Sequence, residues 1–158
     1  MQTTASLARP MHPIVLGGLA CGTCDITAAC IVYGLMRGRA ALWVLQTVAS
    51  GWLGMDAFQG GIATGALGLL SHYFIAFCAA TVYYLASRQF KSLTTQPFVF
   101  GPLYGIAVYW FMNLVVVPLS AFPFKLTHEL KWTLIGMTIH IFCVGTPIAL
   151  ANRVRSDA

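Results

Sequence analysis

The hydrophobic positions of this chain fall into four long runs, at about residues 14–36, 60–87, 99–121 and 132–152, with the charged residues gathered between them. Each run is long enough to cross a hydrocarbon core about 30 Å thick at about 1.5 Å of helix rise per residue. Backbone groups in lipid must satisfy one another, so runs of this length predict helices. The pattern predicts an all-α polytopic membrane protein with four transmembrane helices, built as a single integral membrane domain over residues 1–158.

The apolar stretch at 40–54 is too short to span. Leu42, Leu45, Ala49 and Trp52 share one helical stripe, with Gln46, Thr47 and Ser50 elsewhere. This predicts a short amphipathic helix in the headgroup plane, with a re-entrant hairpin as the other arrangement. Trp43, Trp52 and Trp132 are expected as interfacial anchors, since an indole can bury its ring and keep its N–H wet.

Against this apolar background four polar residues stand out near the middle of the runs: Asp25, His72, Asn113 and His140. An ionisable group at that depth costs on the order of 2.5–3.5 kcal/mol on insertion scales. In the first run Ile14, Val15, Leu16, Leu19, Ile26, Ile31, Val32 and Leu35 together contribute roughly −2.5 to −5 kcal/mol, of which Asp25 offsets about 3. That helix is expected to be stable only when Asp25 finds partners in a bundle.

Small residues say which way these groups point. Pairs four apart open three runs: Gly18 and Gly22, Gly61 and Gly65, Gly101 and Gly105. Such pairs let helix backbones approach closely in lipid. On a helical projection Asp25 lies about 20° from Gly18 and His72 about 20° from Gly61, with Gly65 and Gly68 between. Gly136, His140, Cys143 and Pro147 form one stripe within about 60°. Asp25, His72 and His140 are thus expected to face the bundle interior as one polar layer, with Asn113, about 80° from Gly105, at its edge. Pro118 and Pro147 are expected to kink spans three and four, freeing the carbonyls of Leu114 and Cys143. Freed carbonyls coordinate ions in transporters, and prolines also occur in ordinary spans whose neighbours re-satisfy the freed group.

Composition and charge exclude most other classes. Of 158 residues, 58% are hydrophobic and 8% charged, against about 25% charged in soluble domains. The net charge of +5 resembles a nucleic-acid signal. Its carriers sit at run ends, however, where they meet lipid headgroups, so the bilayer and not nucleic acid is the expected partner. The first run is too long for a signal-peptide core and carries Asp25, so a retained span is expected. Both termini share one side with Arg9, Arg88, Lys91, Arg153 and Arg155, against Arg37, Arg39, Lys125 and Lys131 opposite. The positive-inside rule then places both termini in the cytoplasm.

The candidate chemistry is narrow. Cys21-Gly-Thr-Cys24 matches C-x-x-C, as in four-helix membrane thiol oxidases, but Cys30, Cys78 and Cys143 lie inside runs instead of forming a second pair in a loop. Small apolar packing is the simpler reading of these thiols. Cys21, Asp25, His72, His140 and Cys143 are donors that could hold a metal, and the two histidines could be axial haem ligands. Their spacing matches no ligand signature, so the metal stays unknown and no cofactor is expected. There is no G-x-S-x-G, Walker loop or H-E-x-x-H, and an enzyme is not expected. The G-G-x-A-x-G at Gly17–Gly22 and Gly60–Gly65 lies within spans with no preceding strand, where it reads as helix packing.

The stretches GGLACGTCDI (17–26), ASGWLGMDAFQGG (49–61), YGIAVYWFMNLVVVPLS (104–120) and HIFCVGTPIAL (140–150) resemble a family of small uncharacterised bacterial four-span inner-membrane proteins. The resemblance covers most of the chain and rests on the Asp of span one, the His of span two, the Asn-to-Pro stretch of span three and the His of span four. It implies the fold and an inner-membrane location, and carries no reaction or ligand. Two function classes follow from the residues. One is proton- or cation-linked transport of a small solute through the Asp25/His72/Asn113/His140 layer. The other is a non-catalytic membrane scaffold or partner subunit whose polar residues only fix helix packing. Four spans make a thin bundle, so a homo-oligomer is expected for the first.

Overall fold

A computed structural model of the protein describes residues 11–125 and 129–156. Among these residues there is no strand, and four helices are long and apolar enough to cross a membrane: Pro13–Arg37, Gly61–Gln89, Pro97–Leu119 and Leu130–Arg153. Their lengths run from 23 to 29 residues. The protein is an all-α polytopic chain.

Helix α1 is Met11–Arg37, and a glycine ends it. Gly38 adopts φ +61, its N–H bonds to the Gly34 carbonyl, and the Arg39 N–H bonds to the Tyr33 carbonyl. The Gly38 bond is that of an αL cap, whose positive φ glycine adopts at no steric cost. The chain then enters α2, Ala41–Leu53, and a 3₁₀ turn at Gly54–Phe58 leads to α3, Gly61–Gln89. After the short α4, Ser92–Thr95, span three is α5 (Pro97–Phe111), a π segment (Met112–Val116) and α6 (Val117–Leu119). Span four is α7 (Leu130–Ile139), a π segment (His140–Gly145) and α8 (Thr146–Ser156).

Span one packs between spans two and four, and span three packs on the far side of span four. Spans two and three meet near the terminal end of the bundle. There the Tyr83 and Tyr104 rings are 5.0 Å apart and the Tyr104 hydroxyl donates to the Ala79 carbonyl at 2.7 Å. The core, Cys21, Ala76, Ala80, Tyr83, Val144, Ile148 and Ala149, lies among spans one, two and four in that same half. Large apolar side chains cover the outside: Leu35, Ile62 and Leu119 are more than four-fifths exposed. In water such a surface would aggregate; in a bilayer it is the lipid face.

The glycines act in three different ways. A Cβ at Gly145 would overlap the Gly101 carbonyl oxygen, and one at Gly105 would overlap the His140 carbonyl oxygen, so spans three and four touch backbone to backbone. Gly18 and Gly22 of span one instead receive the rings of Phe77 and Tyr73. Gly65 and Gly68 face Leu42 and Leu45 of the connecting helix α2, not another span. Gly61 departs from the packing role expected of it. Nothing lies within 4 Å of its Cβ position, and its φ of +58 makes it a backbone hinge between the 3₁₀ turn and α3.

Helix α2 lies across one end of the bundle. It meets the first third of α3, and the Ala121 N–H beyond span three bonds to its Gly51 carbonyl at 2.9 Å. The expected stripe is only half right. Val44, Gln46, Ala49 and Ser50 are buried, while Trp52 is 68% exposed. Gln46 is buried because its Nε2 donates to the Gly61 carbonyl and to Thr64 Oγ1. Those two bonds tie α2 to the start of α3.

Candidate functional site

Asp25 sits near the middle of α1, and His72 reaches it from α3. The His72 Nε2 lies 3.9 Å from Asp25 Oδ2 and 2.9 Å from the Gly22 carbonyl oxygen. The carbonyl can only accept, so Nε2 carries the proton of that bond. Both side chains are largely shielded, at 13% exposure for His72 and 17% for Asp25. The Asp25 carboxylate makes no hydrogen bond within the usual donor–acceptor range among the described residues.

The other two polar residues bond to their own helices. His140 Nδ1 lies 2.9 Å from the Gly136 carbonyl, and Asn113 Nδ2 donates to the Tyr109 carbonyl at 2.8 Å. One aromatic ring joins them, since Tyr109 packs edge-on against His140 with ring centroids 5.3 Å apart. With Nδ1 engaged, the free polar atom of His140 is Nε2.

Both residues lie in a π segment: Asn113 is the second residue of Met112–Val116, and His140 begins His140–Gly145. In each, the closing N–H reaches back five residues, Val117 to Met112 and Thr146 to Ile141. Pro118 and Pro147 follow directly. A proline supplies no N–H to the turn before it, and the wide turn is how both helices accommodate that loss. The expected kinks are therefore π segments placed at the polar level. Thr146 Oγ1 adds a bond to the Ile141 carbonyl at 2.8 Å.

Asp25, Asn113 and His140 line one cavity of about 610 Å³ between spans one, three and four and α2. Its volume falls in the range of small-molecule sites. His72 does not line it and meets Asp25 from the span-two side. The cavity occupies the half of the bundle opposite the Gly101/Gly105–Gly145 crossing and continues to the end where α1 stops. There it is lined by Arg37, Arg39 and Lys125 with Tyr33, Trp43 and Trp132. Tyr33 stacks on Trp132 at 5.7 Å, the Arg37 guanidinium lies over the Trp132 ring at 4.1 Å, and Arg39 lies over Trp43 at 4.8 Å.

Sequence reasoning treats Arg37, Arg39 and Lys125 as headgroup flanks and does not single out Tyr109 or Gly145. The Arg-Gly-Arg sequence after span one is the available signal for the first two, because a glycine cap turns the second arginine back over the helix end. Gly145 has no glycine four residues away, and nothing along the chain marks it.

The five cysteines are free thiols. Cys21 is buried and Cys24 exposed, and Cys24 lies within side-chain hydrogen-bonding reach of Cys143 of span four. Among the described residues no three His, Cys, Asp or Glu side chains are grouped to hold a metal ion. Compared with known proteins, the chain matches no family model, no curated protein sequence and no solved structure.

Proposed function

We propose that the protein is a small bacterial inner-membrane protein that couples proton or cation movement to passage of a small solute, with Asp25 and His72 as the coupling pair. The observation that carries this reading is the Asp25 carboxylate, 3.9 Å from the His72 imidazole on one side and lining a cavity of about 610 Å³ on the other. A carboxylate and an imidazole can each carry a proton, and this geometry sets the two side by side. Asp25 can thus respond both to a proton on His72 and to whatever enters the cavity. Asn113 and His140 Nε2 add polar contacts on the same wall. Both termini lie in the cytoplasm in this reading, so the cavity opens on the opposite, external face. A homo-oligomer completes the thin bundle.

The test is proton entry into proteoliposomes loaded with a pH-sensitive dye and given an external acid pulse. Protein-dependent acidification that is lost in Asp25→Asn, with the variant still folded and inserted, supports the proposal. Equal acidification in wild type and Asp25→Asn, or none in either, overturns it. The second reading is the membrane scaffold, favoured by His140 and Asn113 bonding to their own helices. In that reading Asp25→Asn alters stability or partner retention and no flux exists.

A further inference from the structure

We infer that the cavity binds an extended zwitterion, a small molecule with an oxyanion at one end and an ammonium at the other. This deepens the transport reading and rests on the same cavity being its working site. The two ends of the cavity carry opposite charge. At the mouth, Arg37, Arg39 and Lys125 come from three different segments: the end of α1, its cap, and the chain after span three. No carboxylate pairs with any of them among the described residues.

All three are exposed, as flanking cations are, and all three also border the mouth of the cavity. Two lie over aromatic rings, Arg37 over Trp132 and Arg39 over Trp43, and both tryptophans line the cavity as well. A guanidinium carries five N–H donors, and their fork matches an oxyanion in bidentate geometry. Three cations around one opening thus select for negative charge.

The floor selects the opposite sign. Asp25 faces the cavity without a hydrogen-bond donor, since His72 gives its short bond to Gly22. An ammonium satisfies that carboxylate, with the Asn113 side-chain carbonyl and His140 Nε2 nearby as acceptors. Between the ends the wall is apolar and aromatic, with Ala29, Val32, Ile135 and Ile139. Twelve residues of α1 separate Asp25 from Arg37, about 18 Å of helix rise, more than the two side chains bridge. The ligand that meets both ends has its charges separated by an apolar chain.

The test is tryptophan fluorescence of the full-length protein in detergent, read through Trp43 and Trp132, titrated with aminohexanoate, glycine, hexanoate and hexylamine. Saturable binding of aminohexanoate at least tenfold tighter than of the other three supports the inference. Arg37→Gln is expected to weaken aminohexanoate at least tenfold while leaving hexylamine unchanged, and Asp25→Asn to reduce aminohexanoate to the level of hexanoate. Should Arg37→Gln fail to fold, Arg39→Gln makes the same comparison. Equal affinity for hexanoate and aminohexanoate in the wild type, or no saturable signal, overturns it. So does loss of aminohexanoate binding in phosphatidylethanolamine nanodiscs, which assigns the site to a lipid headgroup. Binding without proton flux fails the transport reading alone, and Asp25-dependent flux without zwitterion binding fails this inference alone.

Discussion

The Nε2 atom of His72 stands 3.9 Å from the Asp25 carboxylate, a contact that α3 makes onto α1. It joins spans one and two at a depth where a lone carboxylate is costly. The same nitrogen bonds the Gly22 carbonyl at 2.9 Å, so one imidazole anchors both the backbone and the carboxylate of α1.

A double-mutant cycle on this pair should return a coupling energy of about 1–2 kcal/mol, within the range for contacting residues. The variants are Asp25→Asn, His72→Gln and the two combined, measured by reversible unfolding in mixed micelles. Additivity within about 0.3–0.5 kcal/mol would mean that the two side chains act independently.

The crossing of spans three and four should be far less tolerant of a methyl group than an open helix glycine such as Gly34. Gly145→Ala drives a Cβ into the Gly101 carbonyl, and backbone stands on both sides. The expected loss is about 3 kcal/mol or more, at the upper end of overpacking costs. Gly34→Ala meets only the Arg39 carbonyl at 3.6 Å in a helix interior. It is expected to be neutral or to stabilise by up to about 1 kcal/mol. Thermal unfolding of the two variants side by side makes the comparison.

Gln46 holds α2 against α3 through the Gly61 carbonyl and Thr64 Oγ1. Gln46→Ala leaves Thr64 its bond to the Ala57 carbonyl at 2.6 Å but removes the tie to Gly61. We expect a loss of about 1–3 kcal/mol and faster amide exchange over residues 54–60, with the four spans unaffected. Unchanged exchange in that turn would assign the docking of α2 to its apolar contacts alone.

Pro147→Ala restores an N–H to the turn that contains His140. The π segment is then free to tighten into α geometry, which rotates His140 relative to Gly101 and Gly105. Stability is expected to stay within about 1 kcal/mol, because a restored backbone bond offsets repacking. Acid-pulse flux is expected to fall. A variant with flux equal to wild type would show that the wide turn serves packing and not the site.

Four spans were legible along the chain because length and hydropathy are local properties: about twenty apolar residues must be helical in lipid whatever they pack against. The depth of Asp25, His72, Asn113 and His140 followed from counting residues, and a charge at that depth is costly in any fold. The small connecting helix was legible along the chain, though not the burial of Gln46, which depends on acceptors supplied by α3, nor that of Ser50, whose hydroxyl donates to the Thr47 carbonyl of its own helix.

Only the tertiary structure decided which of these residues meet. Asp25 is nearest to His72 because span two packs on span one, whereas His140 arrives from span four and bonds its own Gly136. Glycine spacing announced close packing but not its partner, so Gly18 and Gly22 receive rings while Gly101 and Gly105 receive the backbone around Gly145. The cavity was invisible for the same reason. It is the space left between spans one, three and four, and of the residues at its mouth Arg37 and Arg39 come before α2 in sequence and Lys125 after α6. Covalent order determines what each helix is, and packing between helices determines what stands beside what.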